Sequence, residues 1–402
     1  MLTFDYEARN PATGQKVKAQ VQADSEHSAA RLLQEQGLAP LSIKVQQDTS
    51  NRAYRKVKTK DKVLFARQLA TLVNAGLPVV QSLRTVQQQT TNKIIKLVTD
   101  DVISSVEGGQ SLADSLKKYP AIFNAVFTSM IAAGEASGTL DSTLERLAVQ
   151  QEKDADVLSK IRGAMIYPLV VVFIMLAVLM FMLVGVLPQV KSLYEGMGAG
   201  QMPIITRVLL GLSDFVISFW WVLLILAIGV VSFGRRWFRT PAGKRYTDKL
   251  KLKLRPINRL FMKVYMARFS RTGATLVASG VPLIQTLEIT ADAVNNVFIK
   301  ESINRAIEQV KGGKSLAESL RGDPNFLELV PNMLKIGEQS GAIEQMLSKT
   351  ADYYEKEVDT EIKNISTIIE PALMIVLGVV ALIIVVAVLL PIYGLAGKAF
   401  IR

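Results

Sequence analysis

Three runs of nineteen residues, 169–187, 215–233 and 372–390, are apolar and carry no charged side chain. At ~1.5 Å per residue a helix of that length spans roughly 28 Å, close to the ~30 Å hydrocarbon core of a bilayer. Each run predicts a transmembrane helix. Outside them the pattern turns amphipathic. Leu64, Leu69, Leu72 and Val73 fall on one face at helical spacing, and the segment 75–78 (Ala-Gly-Leu-Pro) predicts a break. Gly76 suits a helix C-cap and Pro78 the first turn of the next helix. Further helices are predicted over 92–106, 111–116 and 123–133, with 134–138 as a turn and 140–161 as a long amphipathic helix. Near the start, 3–8 and 16–23 alternate apolar and polar residues and predict strands. A helix over 26–36 and a short third strand over 41–45 complete a small α+β module.

The chain contains its main pattern twice. Residues 65–83 and 269–287 share ten identities in nineteen positions at an offset of 204. The offset holds through 108–116 (GGQSLADSL) and 312–320 (GGKSLAESL), then becomes 203 for 134–138 (GEASG) and 337–341 (GEQSG). Pro168 and Pro188 bracket the first apolar run, as Pro371 and Pro391 bracket the third. The repeated unit is a helical bundle followed by a membrane-length segment.

Charge orients the spans. Arg235, Arg236, Arg239, Lys244, Arg245, Lys249, Lys251, Lys253 and Arg255 face one acid, Asp248, while only Lys191 and Arg207 are basic between the first two spans. The positive-inside rule therefore places both bundles in the cytoplasm and the C-terminus outside. The expected order is an α+β module (1–45), a linker (46–61), bundle 1 (62–163) and a first span (164–188). An outer loop (189–213), a second span (214–234), a basic connector (235–262), bundle 2 (263–366), a third span (367–393) and a short tail (394–402) follow. The fold class is thus mainly α and polytopic, with two duplicated bundles of about six helices each. No hydrophobic leader with a small-residue cleavage site is expected at the start. Basic runs can bind nucleic acid, but a position beside a span is explained by topology and anionic lipid.

Composition removes most chemistries. The chain has no cysteine and one histidine, His27, so thiolate catalysis, histidine triads and Cys-ligated metals are excluded, and no cofactor is expected. Gly312-Gly313-Lys314-Ser315 lacks the earlier glycine of a phosphate-binding loop, since position 308 is Glu308, and no strand precedes it. Two carboxylate sets remain. Glu135 and Glu338 sit in Gly-Glu-x-Ser-Gly segments, flanked by Gly134, Gly138, Gly337 and Gly341. They read either as structural, bonding a free backbone N–H while Ser137 and Ser340 cap the next helix, or as partner contacts. Glu152 and Glu355 lie on the long helices leading to the membrane, as a solvated face or as an acidic surface for a basic partner or a shared cation.

The pattern Phe-x-Arg-x-x-Ala-x-Leu-x-x-x-Gly-x-Pro, carried by Arg67, Gly76 and Pro78 and again by Arg271, Gly280 and Pro282, is similar to a known signature. With the Gly-Glu-x-Ser-Gly segments, Tyr167-Pro168 and Glu370-Pro371, it resembles the type II secretion F / type IV pilus C family. Gly273 departs from the leucine usual in that family, where the first repeat has Leu69. The resemblance implies a non-enzymatic inner-membrane platform protein. It also implies contacts with a hexameric assembly ATPase, with pilin or pseudopilin subunits and with other inner-membrane assembly proteins, and self-association as a dimer or higher oligomer.

Overall fold

A computed structural model of the protein describes residues 2–9, 16–23, 32, 39–45, 57–196, 204–238, 240–254 and 257–399. Two compact units emerge, Met1–Leu144 and Glu145–Arg402. The break lies inside a helix, earlier than residue 163, where the repeat pattern closes its first bundle.

In the first unit, strands β1 (Leu2–Arg9), β2 (Lys16–Ala23) and β3 (Ala39–Val45) form an antiparallel sheet in the order β2-β1-β3. Phe4 pairs with Val21 on one side and Val45 on the other, with a register shift at Glu7/Ala8 on the β3 side. The expected helix over 26–36, apart from Leu32, lies outside the described residues, as do His27 and the linker up to residue 56.

Helices α1 (Thr59–Asn74), α2 (Val79–Gln89), α3 (Lys93–Glu107), α4 (Leu112–Lys117) and α5 (Ala125–Ser137) build the first bundle. Its starts are chemically marked. The Asn92 side chain accepts from the N–H groups of Ile94 and Ile95, and Asn124 from that of Phe127. Phe65, Leu69, Leu83, Ile95, Leu116, Phe127 and Met130 are buried, and the Phe65 and Phe123 rings lie 5.4 Å apart.

Helix α6 (Leu140–Phe181) runs unbroken through Pro168 into the first apolar run. A π-helical turn (Met182–Val186) and α7 (Leu187–Gly196) follow, so much of the expected outer loop is helical. In the π turn the Leu187 N–H bonds Met182 O, five residues back, just ahead of Pro188, which has no N–H to give. The Leu183 carbonyl, passed over by the Leu187 N–H, accepts from the Ser213 hydroxyl of α8 (Ile204–Trp237). Met182, Leu187 and Leu210 pack there with Ile384 and Val388, so the three spans meet at that level.

The second bundle repeats the first. After α9 (Pro241–Lys253) come α10 (Ile257–Ala278), α11 (Leu283–Ala293), α12 (Val297–Lys311), α13 (Leu316–Leu320) and α14 (Leu329–Ser340). Helix α15 (Ile343–Ala399) then carries the chain through the third apolar run. Asn296 caps α12 as Asn92 caps α3, and Phe269 meets Phe326 at 5.1 Å as Phe65 meets Phe123. The offset changes at one turn. Phe123 N bonds Tyr119 O four residues back, whereas Phe326 N bonds Asp323 O three back. The first repeat thus holds one extra residue between Tyr119 and Phe123. Gly273 also finds its reason, because a Cβ there would come within 3.2 Å of Leu347 on α15.

Among the described residues, three helices are long and apolar enough to cross a membrane, within Leu140–Ser192, Thr206–Trp237 and Ile343–Val386. Leu169, Phe173, Phe181, Phe233 and Ile375 stand exposed there, an arrangement stable in lipid and costly in water.

Candidate functional site

The Gly-Glu-x-Ser-Gly segments are not turns, contrary to expectation. Each is the last turn of a helix, α5 or α14, and only its final glycine leaves the helix. Gly138 and Gly341 adopt φ of 69° and 71°, the left-handed C-cap conformation that side chains with a Cβ disfavour. The Thr139 and Ala342 N–H groups then bond back to Gly134 O and Gly337 O, both at 2.9 Å. The serines do not cap the next helix. The Ser137 hydroxyl donates to Ala133 O and the Ser340 hydroxyl to Ile336 O, within their own helices. The leading glycines permit close approach. A Cβ on Gly134 would lie 2.8 Å from Thr143 Oγ1, and one on Gly337 2.9 Å from Ile343 Cα.

Glu135 and Glu338 reach back to a neighbouring helix start. Glu135 accepts from the N–H groups of Leu112 (2.6 Å) and Ala113 (2.9 Å), while Ser111 Oγ accepts from Asp114 N–H. Glu338 does the same for Leu316 (2.6 Å) and Ala317 (3.2 Å), with Ser315 Oγ accepting from Glu318 N–H. A helix start leaves its first N–H groups without partners inside the helix, and three of them are satisfied here by one carboxylate and one hydroxyl. The carboxylates also meet the positive end of the helix dipole. That explains how helices of six and five residues, too short to persist alone, hold their place with Leu112, Leu116, Leu316 and Leu320 buried. Lys314 stands before the capping Ser315 at this junction of α12 and α13.

The signature glycines and prolines form the preceding junctions. Gly76 and Gly280 have φ of 84° and 79°, and Pro78 and Pro282 act as N-caps one position before the first turn. The Ser82 and Thr286 N–H groups bond to their carbonyls. Arg67 is half-buried on α1. Arg271 on α10 donates from Nε to Glu355 at 2.8 Å and contacts Asp352 at 2.5 Å.

The expected acidic face of Glu152 and Glu355 is not a free acidic surface at Glu355. Its side chain is 14% exposed and held by Arg271 and by Lys153 at 3.1 Å. The same seam continues along the second unit, where Lys160 bonds Asp156 and Asp359 and Lys263 bonds Glu357 and Glu361. Glu152 is half-buried on α6. Asp154, beside Val157, Ala267 and Arg268, is desolvated; burial pushes its carboxyl up, against the opposing pull of Arg268 and the Gln150 amide. Apolar contacts of Val157 and Ile161 with Leu260, Val264, Val358 and Ile362 run alongside. Sequence reasoning missed this seam because its cations and acids come from helices far apart in the chain. Among the described residues no cluster of three or more His, Cys, Asp or Glu is arranged to hold a metal.

These features define a membrane protein with an internally duplicated helical bundle, each copy fastened by its own glutamate. The chain belongs to the type II secretion system protein F family, whose description matches residues 65–188 and 269–391, with the N-terminal domain of that family at 1–44. It is 36% identical to a type IV pilus assembly protein PilC of Thermus thermophilus, covering 100% of both chains. It is also 36% identical to PilC of Pseudomonas aeruginosa over 91% of this chain and 98% of that one. The type II secretion system protein F of Pseudomonas aeruginosa is 35% identical, over 98% and 99%.

Proposed function

We propose that this chain is a non-enzymatic platform protein of a type IV pilus or type II secretion machine in the inner membrane. It couples a hexameric cytoplasmic ATPase to the extraction of pilin or pseudopilin subunits from the bilayer. One observation carries the reading: two bundles with the same caps continue into uncharged, lipid-exposed spans, in a chain alike from end to end to a pilus assembly protein. Pulling apolar segments out of lipid requires energy, and the bundles are the surface a soluble motor can reach. Both bundles lie in the cytoplasm and the C-terminus outside, a reading the basic connector supports. The first 45 residues belong to a small α+β module on the cytoplasmic side; the three-stranded sheet supports its β part alone. The platform works as a dimer or higher oligomer, because paired lobes suit a ring-shaped partner.

Deleting the gene should abolish surface filaments or secretion while subunits accumulate in the membrane, and the intact gene should restore them. Unchanged filaments and secretion in the deletion strain would sink the proposal. A reporter active only outside the membrane should work when fused after Gly198 and stay silent after Lys253; the reverse pattern overturns the orientation. A secretion role is the second reading, favoured by the 35% identity to a secretion protein F. Loss of exoprotein release with filaments intact would select it.

A further inference from the structure

Helix α9 divides its cations between two tasks. Its inner face is seated on the second bundle. Asp248, 1% exposed, accepts from the Val297 N–H at the start of α12 and pairs with Lys251 at 3.3 Å. Arg245 pairs with Glu301 at 2.9 Å and lies over the Phe298 ring at 5.3 Å, and Lys244 donates to Asn295 at 3.0 Å. Leu252 packs on the bundle core. The outer face is different. Tyr246, Lys249, Leu250 and Lys253 are exposed along one helical stripe, next to exposed Leu254. Arg235, Arg236, Trp237 and Phe238, also exposed, end the second span beside it.

The chain folds tightly here. A Cβ on Gly243 would collide with the Trp237 carbonyl, and the Tyr246 ring lies 5.7 Å from that of Trp237. The start of α9 is therefore held close to the end of the second span. Aromatic rings with interleaved cations at the end of a span match the acyl–headgroup boundary, and long lysine stems keep their charges among headgroups.

We infer that this outer face is a binding surface for anionic lipid headgroups, which Lys249, Lys253, Arg235 and Arg236 engage while Tyr246 and Leu250 enter the interface. The occupant is lipid on two grounds: the charge is of one sign, and the stripe continues directly from a span already in the bilayer. Each cation near an anionic surface strengthens attachment by about 1 kcal/mol, roughly fivefold, at low ionic strength. The bound face fixes the second bundle against the membrane through Asp248 and Arg245.

The absence of cysteine makes the test clean, because Leu250→Cys gives a single labelling site. The full chain, carrying a polarity-sensitive fluorophore there, is reconstituted in nanodiscs of phosphatidylglycerol or of phosphatidylcholine, each with a headgroup-proximal spin-labelled quencher. Both leaflets have one composition, so the result does not depend on the proposed orientation or function. Quenching should be strong in phosphatidylglycerol, weak in phosphatidylcholine, and largely lost in high salt. Lys249→Glu with Lys253→Glu should remove most of the difference between the two lipids; Lys249→Gln with Lys253→Gln should remove part of it, and the label at Gln309→Cys should stay unquenched. Equal quenching in both lipids, no quenching at position 250, or insensitivity to charge reversal in a variant with unchanged melting would each overturn the inference. So would an equal response to soluble glycerol phosphate in phosphatidylcholine discs.

Discussion

Replacing Glu338 by alanine removes the acceptor for two N–H groups at the start of α13, those of Leu316 at 2.6 Å and Ala317 at 3.2 Å. An orphaned donor costs ~1–3 kcal/mol, and because Glu338 is half-buried and its removal opens both N–H groups to water, each falls at the low end of that range. Loss of the charge–dipole term at a helix start adds a few tenths, for a total of about 2 kcal/mol. That energy is local first, since α13 has five residues and depends on its cap. Amide exchange at Leu316 and Ala317 should therefore quicken roughly thirtyfold, with a lower melting temperature of the detergent-solubilised chain. Glu338→Gln keeps one acceptor oxygen and should lose about half as much. Glu135→Ala should act in the same way on Leu112 and Ala113 while leaving α13 unchanged. Hydrogen exchange with mass-spectrometric readout resolves the two helices. Exchange at 316–317 unchanged within about twofold in the alanine variant would refute the reasoning.

Four further outcomes follow from the same packing. Gly337→Ala places a Cβ 2.9 Å from the Ile343 backbone and should cost ~1–3 kcal/mol in melting experiments, more than Gly134→Ala, whose obstacle is a threonine side chain. Arg271→Ala leaves Glu355 with Lys153 alone and should cost about 2 kcal/mol, most of it recovered when Glu355→Gln is added; Asp352, 55% exposed, contributes little. The folded pKa of Asp154 lies above its unfolded value, so the folded chain keeps that proton longer. Its contribution is then full below the ordinary aspartate range and is lost as pH rises through the raised value, and Asp154→Asn should flatten that slope in pH-dependent melting. Ser213→Ala leaves the Leu183 carbonyl without a partner beside Pro188 and should cost ~1 kcal/mol, read as faster exchange in the π turn.

Much of this architecture was legible from local chemistry. Asn92, Asn296, Ser111 and Ser315 precede apolar periods, and each caps the helix that follows. Uncharged runs of nineteen residues likewise need no tertiary context. The Gly-Glu-x-Ser-Gly segments were misread because two glycines in five residues look like a loop. Here Gly134 serves contact with Thr143, and only Gly138 serves conformation. The carboxylate bonds from Glu135 to α4 cross more than twenty residues, so no local pattern reveals which N–H they meet. Glu355 looked free for the same reason, since Lys153 comes from a helix two hundred residues away. The π turn could not be read from Pro188 alone, since Pro168, Pro371 and Pro391 lie in unbroken α-helix.

The central claim is that the chain acts through a motor and has no nucleotide chemistry of its own. Co-purification of the full-length protein with its cognate assembly ATPase, at low and high salt, tests it most directly. Association should hold at low salt and weaken at high salt, since a contact between charged faces is screened. Nucleotide hydrolysis should follow the ATPase alone. Hydrolysis by the platform after removal of every partner, abolished by Lys314→Ala, would contradict the account.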